Sequence, residues 1–315
     1  YNEYMSESAI NPNMASALSV IIVLCSLLIL TFQKYVVDRK NYMMSSLRPP
    51  QEVQLKGAKR FWASLPVYLV TFLAFLPQIV VVCQSFVERS FSGVVQGINL
   101  SNYQAMLKRL STNITNTYVF SLVAIVFIIL FGILVSYILV RKKGKVASLI
   151  DTLIMFPYVI PGSVLGIGLI VAFNRKPIVL VGTAAIMIIS YVVRKLPYTV
   201  RSGSAFLYQM DPFIEEASIN LGVSPMKTFF TVTARMMLPG ILSGAVLSWI
   251  TCINELSSSI MLYSGKTSTI AVAIYQEVTR MSDGTAAALA TILTVTTIIS
   301  LLIVFRITKG KVKIV

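Results

Sequence analysis

The 315-residue chain contains no histidine. That removes the commonest metal ligand and the side chain best suited to acid–base work near neutral pH. Acidic residues are sparse as well, 12 Asp and Glu against 27 Lys and Arg. A membrane-embedded enzyme, such as a lipid transferase, needs a convergent set of acids, bases or metal ligands near one face, and none is visible. The expectation is no catalytic residue, no metal, no cofactor and no enzymatic activity of the chain's own. Cysteine is scarce: Cys25, Cys83 and Cys252 lie in or at the edge of apolar stretches, match no zinc or redox spacing, and read as small core residues.

What the chain has is apolar length. It is 56% hydrophobic and 12% charged, with a mean hydropathy of +0.79, more apolar surface than a soluble protein of this size can hide. Seven apolar runs recur, at residues 15–37, 61–83, 118–140, 147–173, 177–193, 238–262 and 286–305, each near the length that crosses roughly 30 Å of hydrocarbon. The fold class is all-α and polytopic, in a lipid bilayer.

The net charge of +15 does not point to nucleic acid, because the basic residues sort by loop. With the N-terminal tail outside and loops assigned alternately, 20 of the 27 Lys and Arg fall on the inner side, among them Arg141, Lys142, Lys143, Lys145, Arg194, Lys195 and Arg201. The positive-inside rule then places residues 211–239 and the C-terminus in the cytoplasm. Residues 1–40 read as the last transmembrane helix of a preceding, truncated unit. Residues 41–60, with Pro49-Pro50, read as a cytoplasmic linker, and residues 61–315 as a six-helix unit. With no start Met and no n-region before the first apolar run, that run is not expected to be a signal peptide.

The densest chemistry lies in Asp211–Pro239, an amphipathic segment between apolar runs. Asp211 is placed to cap a helix, and Pro212 suits its first position. Phe213, Ala217 and Leu221 recur at i, i+4 and i+8 as one apolar stripe, with Glu215, Glu216 and Asn220 off it. Gly222 stops the helix, and Ser224-Pro225 starts another. Two short helices joined at a glycine on the water side form a docking element.

Other patterns admit two readings. Gly162-x-x-x-Gly166 and Gly240-x-x-x-Gly244 allow close helix contact, for packing or at a moving interface. Pro157 and Pro161 kink the fourth run, either structurally or to line a pathway. Glu255, beside Asn254 and before Ser257-Ser258-Ser259, lies 16 residues beyond Pro239, about 24 Å up a helix and toward the outer half. That patch either lines a translocation cavity, binds a cation, or fixes two helices by an internal bond. Asp151, near the inner boundary, reads as a capping or interface residue. Gly265-Lys266-Thr267 imitates a P-loop ending, but residue 260 is Ile where glycine is required. Asn99-Leu100-Ser101 and Asn113-Ile114-Thr115 are glycosylation sequons by pattern only.

Glu216-Ala217-Ser218-x-x-x-Gly222 resembles the EAA signature of the membrane subunits of binding-protein-dependent (MetI-like) ABC importers. Glu216, Ala217 and Gly222 match; Ser218 stands for the second Ala, and Val232 for the Ile that follows. The family's Leu-Pro falls on Ala234-Arg235 and is lost, although Leu238-Pro239 occurs four residues later. The segments Phe156-Pro157-Tyr158-Val159-Ile160-Pro161-Gly162, Arg194-Lys195-Leu196-Pro197-Tyr198-Thr199-Val200-Arg201 and Asn254-Glu255-Leu256-Ser257-Ser258-Ser259 are most similar to the fused ferric-iron permeases.

The resemblance covers residues 61–315 and implies a six-helix MetI-like permease unit in the bacterial cytoplasmic (inner) membrane, preceded by one extra transmembrane helix. It implies a missing N-terminal permease half, partner ATP-binding-cassette subunits that supply the ATPase activity, and an extracytoplasmic substrate-binding protein. Phe213, Glu215, Glu216, Ala217, Ser218, Leu221 and Gly222 would couple to the ATPase, with both glutamates meeting its basic groups. Pro157, Pro161, Asn254, Glu255 and Ser257 would line the path. Loops 84–117 and 264–285 would receive the binding protein. Ferric iron is the implied cargo, with 2-aminoethylphosphonate or another small solute as alternative. An ion-coupled secondary carrier, the reading outside this class, needs paired charges at the bilayer midplane.

Overall fold

A computed structural model of the chain describes residues 57–89, 95–142 and 144–307, with isolated helical positions between 17 and 32. Most of the expected helix of residues 1–40, most of the linker 41–60 and the tail beyond 307 lie outside the described residues.

Helix is the default here because hydrocarbon offers backbone N–H and C=O groups no partner but the backbone itself. Helix α1 (Ala58–Phe86) leads into an antiparallel hairpin, β1 (Val87–Arg89) and β2 (Val95–Ile98). Helix α2 (Ser101–Arg141) bends at Leu110, whose φ of −123° and ψ of 15° leave the helical region. Helices α3 (Lys145–Val159) and α4 (Gly162–Phe173) part at Ile160-Pro161, and their axes diverge by 110°. A second hairpin, β3 (Asn174–Arg175) and β4 (Ile178–Val179), precedes α5 (Ala184–Tyr208). Helix α6 (Phe213–Asn220) occupies the loop after α5. Helix α7 (Pro225–Thr228), a π-helical turn at Phe229–Thr233 and α8 (Ala234–Ile253) run on as one rod. Helices α9 (Ser259–Leu262), α10 (Ile270–Thr279) and α11 (Asp283–Ile307) complete the described fold.

Four helices among the described residues are long and apolar enough to cross a membrane: α1, α2, Pro225–Ile253 and α11. The α3–α4 pair behaves as a fifth span rather than a loop that returns to its own side, because it advances along α5. Asp151 of α3 pairs with Arg201 at 2.9 Å, which makes it the expected interface residue. Gly162 lies against Arg194, and Phe173 packs on the cluster that holds Ile186 and Met187. The expected kink at Pro157 and Pro161 is therefore a break between two helices.

Helix α5 answers to the fifth apolar run, residues 177–193, and its bounds differ from the sequence expectation. Hydropathy ends the run at Val193, but the helix begins at Ala184 and continues through Arg194 and Lys195 to Tyr208. Those two cations belong to the helix interior and not to a cytoplasmic loop, because Glu255 neutralises charge there. Without them the inner side still keeps 18 of the 27 basic residues against seven.

Helix α5 is the axis of the core, packed most extensively against α2 and α8. Toward its N-terminal end Ile186, Met187 and Tyr191 meet Phe120, Ala124 and Ile128 of α2 and Cys252 of α8. Toward its C-terminal end Leu207 meets Val140, Met237 and Ile241. Hydroxyls stitch the same surfaces: Ser202 Oγ donates to the Gly240 carbonyl (2.7 Å), Ser248 Oγ to the Lys195 carbonyl (2.9 Å) and Ser136 Oγ to the Val200 carbonyl (3.1 Å). Such bonds and small side chains replace the hydrophobic effect as the force between helices in lipid. Gly240 and Gly244 do serve packing. A Cβ at Gly244 would sit 2.6 Å from the Thr199 Cα and 2.9 Å from the Tyr198 carbonyl oxygen.

Gly244→Ala is therefore expected to force α5 and α8 apart at a cost of about 1–3 kcal/mol. A thermal-unfolding midpoint measured in detergent should fall. Gly168→Ala, where nothing lies within 4 Å of the added carbon, should leave it unchanged.

Candidate functional site

Two constellations emerge, an exposed helical loop at one end of the bundle and a charged cluster in its interior. In the loop, Asp211 Oδ1 accepts the Phe213 N–H at 3.0 Å, and Pro212 already has helical angles, φ −58° and ψ −26°. The end of α6 is a Schellman arrangement: the Gly222 N–H donates to the Ile219 carbonyl (2.9 Å) and the Val223 N–H to the Ser218 carbonyl (3.2 Å). Gly222 has φ +85° with open space around it, so backbone conformation rather than packing demands glycine there. Pro225 opens α7 behind Ser224, as its missing N–H allows.

Phe213 and Leu221 are 71% and 86% exposed, and Glu216 and Ala217 are exposed beside them. Ser218 is bonded hydroxyl to hydroxyl with the buried Thr228 at 3.0 Å and so ties α6 to α7. A second alanine at that position would lack this bond. Glu215 is placed differently from its neighbour. Its carboxylate accepts from Arg141 Nε at 3.0 Å, with both side chains largely buried, at the last residue of α2. Glu215 therefore has a partner within its own chain, and Glu216 is the carboxylate left on the surface.

The interior cluster forms where two broken helices meet α5. Helix α8 ends at Ile253, and Asn254 (φ −97°, ψ 10°) begins a non-helical stretch before α9. Glu255 sits in that break, 5% exposed. One of its oxygens bonds Arg194 Nη1, the Ser258 N–H (3.1 Å) and the Ser258 hydroxyl (3.3 Å); the other bonds Lys195 Nζ at 2.5 Å. Glu255 is thus a paired group, bonded to two cations of α5. Glu255 is level with the middle of α5, whose Arg194 and Lys195 it binds.

Asn254 is exposed and donates to the Ile250 carbonyl at 2.8 Å, and Ser257 is exposed beside Gly162. Pro157 lies in the last turn of α3, and Pro161 is the residue before α4. The two breaks therefore face each other across Arg194. Tyr198, one turn further along α5, meets Tyr158 of α3 edge-on, with ring centroids 5.4 Å apart.

Sequence reasoning missed a third feature at the opposite end. Glu277 of α10 is 1% exposed and accepts from Arg109 of α2 at 2.8 Å through both oxygens, and from Arg280 at 3.3 Å. Arg109 and Glu277 are 168 residues apart, so no local spacing announces the pair. Nearby, Asn116 Nδ2 donates to the Lys266 and Ser268 carbonyls at 2.9 Å, and Asn113 Nδ2 to Ser268 Oγ at 2.9 Å. The P-loop imitation is a turn held by α2, and the Asn113 amide is engaged within the fold. No group of three or more Cys, Asp or Glu among the described residues is arranged to hold a metal.

The model of the family described as "Binding-protein-dependent transport system inner membrane component" matches residues 128–313. The chain belongs to that family. It is 32% identical over 208 residues to the ferric transport system permease protein FbpB of Actinobacillus pleuropneumoniae, covering 64% of this chain and 30% of that protein. It is 29% identical over 215 residues to the molybdate/tungstate transport system permease protein WtpB of Pyrococcus abyssi, covering 68% of this chain and 82% of that one. The chain thus spans about a third of the length of the ferric permeases it matches. Among solved structures, a bacterial ABC transporter that imports the acidic polysaccharide alginate shares the fold, with a TM-score of 0.60 and 18% identity over 78% of this chain and 94% of that one. The 211–222 loop and both helix breaks fall within the family match.

Two outcomes follow for this chain. Glu255→Gln leaves Arg194 and Lys195 without a counter-charge in a nearly dry site, a loss of the order of 3–5 kcal/mol, so its unfolding midpoint should drop well below that of Thr251→Ser. Arg141→Met should speed amide hydrogen exchange across 213–222 roughly tenfold or more, since a buried hydrogen bond to a charged group is lost, while exchange in α1 stays as it was.

Proposed function

We propose that the chain is the membrane-spanning part of an ABC importer in a bacterial cytoplasmic membrane, and that ferric iron is its cargo. The observation that carries this reading is the exposed loop: an EAA-type helix, capped at both ends and tied to α2 and α7, presents Phe213, Ala217 and Leu221 to solvent. Partner ATPase subunits close on ATP, and their movement reaches the bundle through Phe213–Gly222. An extracytoplasmic binding protein delivers the cargo at the opposite end, at loops 84–117 and 264–285. A preceding permease half completes the path, which passes Asn254, Glu255, Ser257, Pro157 and Pro161. Chemistry stays with the ATPase; this chain does none.

Iron is supported by the ferric permeases among the relatives. The molybdate/tungstate relative, most of whose length is covered, supports the alternative of another small solute, 2-aminoethylphosphonate included. An ion-coupled carrier is disfavoured by the state of Glu255, since a carboxylate with every oxygen bonded to cations or Ser258 has no vacancy for a coupling ion.

In docking, apolar burial outweighs charge. Seating Phe213 or Leu221 contributes about 1.5–3 kcal/mol each, whereas a water-exposed pair at Glu216 contributes about 1 kcal/mol or less. Phe213→Asp or Leu221→Asp is therefore expected to weaken ATPase binding about tenfold to a hundredfold, and Glu216→Gln only a few-fold, by co-purification against ATPase concentration. In vesicles holding the complete permease, its ATPase and its binding protein, ATP-dependent uptake of radiolabelled iron tests the cargo. ATP hydrolysis without iron uptake would reassign the cargo, and failure to recruit any ATPase would remove the coupling role.

A further inference from the structure

A cavity of about 330 Å³ opens between the first turns of α3, the last turns of α5 and Leu139 of α2, a size within the range of small-ligand sites. It lies at the end of the bundle that carries the 211–222 loop, since Tyr208 on its wall is the last residue of α5. The space is open rather than packed. Nothing lies within 4 Å of a Cβ built on Gly144, and Gly144, Ser148 and Tyr208 on the wall are exposed.

Three features of the wall suit a phosphate. Ser204 is only 6% exposed, and its hydroxyl has no hydrogen-bond partner, a state that buried polar groups rarely keep. Because Ser204 lines the cavity, a ligand there can complete it. Arg201, 51% exposed, donates from Nη2 to Asp151 Oδ1 at 2.9 Å and from Nε to Met155 Sδ at 3.4 Å. Its Nη1 has no partner among the described residues. Helix α3 starts behind Gly144 with no side-chain cap, and the Ser148 N–H is the one that donates to the Gly144 carbonyl. The three N–H groups before it, and the positive end of the helix dipole, are unclaimed. Asp151 cancels Arg201, but the exposed Lys142 and Lys145 flank Gly144 without an ion pair among the described residues and leave the surroundings positive.

The level is that of lipid headgroups. Lys142, Lys145 and the exposed Tyr208 are residue types of the membrane–water boundary. The adjoining face of α3 is apolar, with Val146, Leu149, Leu153 and Phe156 at helical spacing and each more than half exposed. An acyl chain can lie along that face while its headgroup enters the cavity. We propose that the cavity binds an anionic phospholipid with a hydroxylated headgroup, phosphatidylglycerol in type. Its phosphate meets Arg201, Ser204 and the start of α3, and its glycerol hydroxyls meet Asp151 and Ser148. Basic pockets between membrane helices at this level take such headgroups. The bound lipid braces α3 against α5 beside the 211–222 loop. The importer reading enters only in naming the leaflet, the cytoplasmic one.

The test uses the complete permease, delipidated in neutral detergent, with phosphatidylglycerol, phosphatidylcholine or inorganic phosphate added. Phosphatidylglycerol should raise the unfolding midpoint saturably, whereas phosphatidylcholine and millimolar phosphate should leave it unmoved. Arg201→Gln should weaken phosphatidylglycerol binding about tenfold or more, the size of a lost charge-assisted bond. Its midpoint in phosphatidylcholine should stay near wild type, because the broken ion pair is half exposed. Ser204→Ala removes a hydroxyl that bonds nothing in the fold. Its midpoint without lipid should equal or exceed wild type, while phosphatidylglycerol affinity falls a few-fold. Equal shifts by the two lipids, or unchanged phosphatidylglycerol binding in both variants, overturn the site. An equal shift by inorganic phosphate assigns the cavity to a free phosphate and overturns the lipid. No ATPase, binding protein or cargo takes part, so the outcome is independent of the importer reading.

Discussion

The contact on which the rest of the architecture depends is the triple of Glu255 with Arg194 and Lys195. A helix that breaks inside a bilayer strands backbone groups, and a break survives only where neighbouring polar groups supply partners. Here two breaks, at Ile160-Pro161 and at Asn254–Ser258, abut the same two basic residues of α5. The carboxylate binds both cations and the Ser258 N–H at once, so the stretch after α8 is held to α5 by charge rather than by helical continuity. Around that contact α5 can afford hydroxyls and backbone-to-backbone approach: Thr199 meets Ser248 at 3.0 Å, and Gly244 rests on Thr199.

The exposed loop is built on the opposite principle. Its apolar Phe213 and Leu221 are outside, and its Glu215 and Ser218 are turned in. Arg141 closes α2 and holds Glu215, Ser218 holds Thr228, and Tyr137 stands edge-on to Phe229 with centroids 4.8 Å apart. These contacts tie α6 to the end of α2 and to the Pro225–Ile253 rod, both of which pack against α5. The π turn at Phe229–Thr233 lies directly between the loop and α8, the place where the family's Leu-Pro is replaced by Ala234-Arg235.

Much of this was legible from residue order, and the reasons differ from element to element. The loop was readable because capping is local: Asp211, Pro212, Gly222 and Pro225 act on neighbours within five residues. The spans at α1 and α11 were readable because lipid requires apolar length. The far end of helix α5 was misjudged by fifteen residues, Val193 expected against Tyr208 found, because a hydropathy count treats Arg194 and Lys195 as an end to the membrane. Nothing local says that a glutamate some 60 residues later cancels one of them. The partner of Glu215 was illegible for the same reason, since Arg141 lies 74 residues earlier.

By itself, then, the sequence determined that the chain is a bundle of membrane helices, which loop is amphipathic, and where glycine and proline interrupt regular structure. Those properties follow from hydropathy, propensity and caps, which act over a few residues. Tertiary structure alone decided which charges neutralise one another: Arg194 and Lys195 with Glu255, Arg141 with Glu215, and Arg109 with Glu277. Ion pairs close over any chain separation, and in a medium that penalises lone charge they decide which helix end is buried and which carboxylate is free.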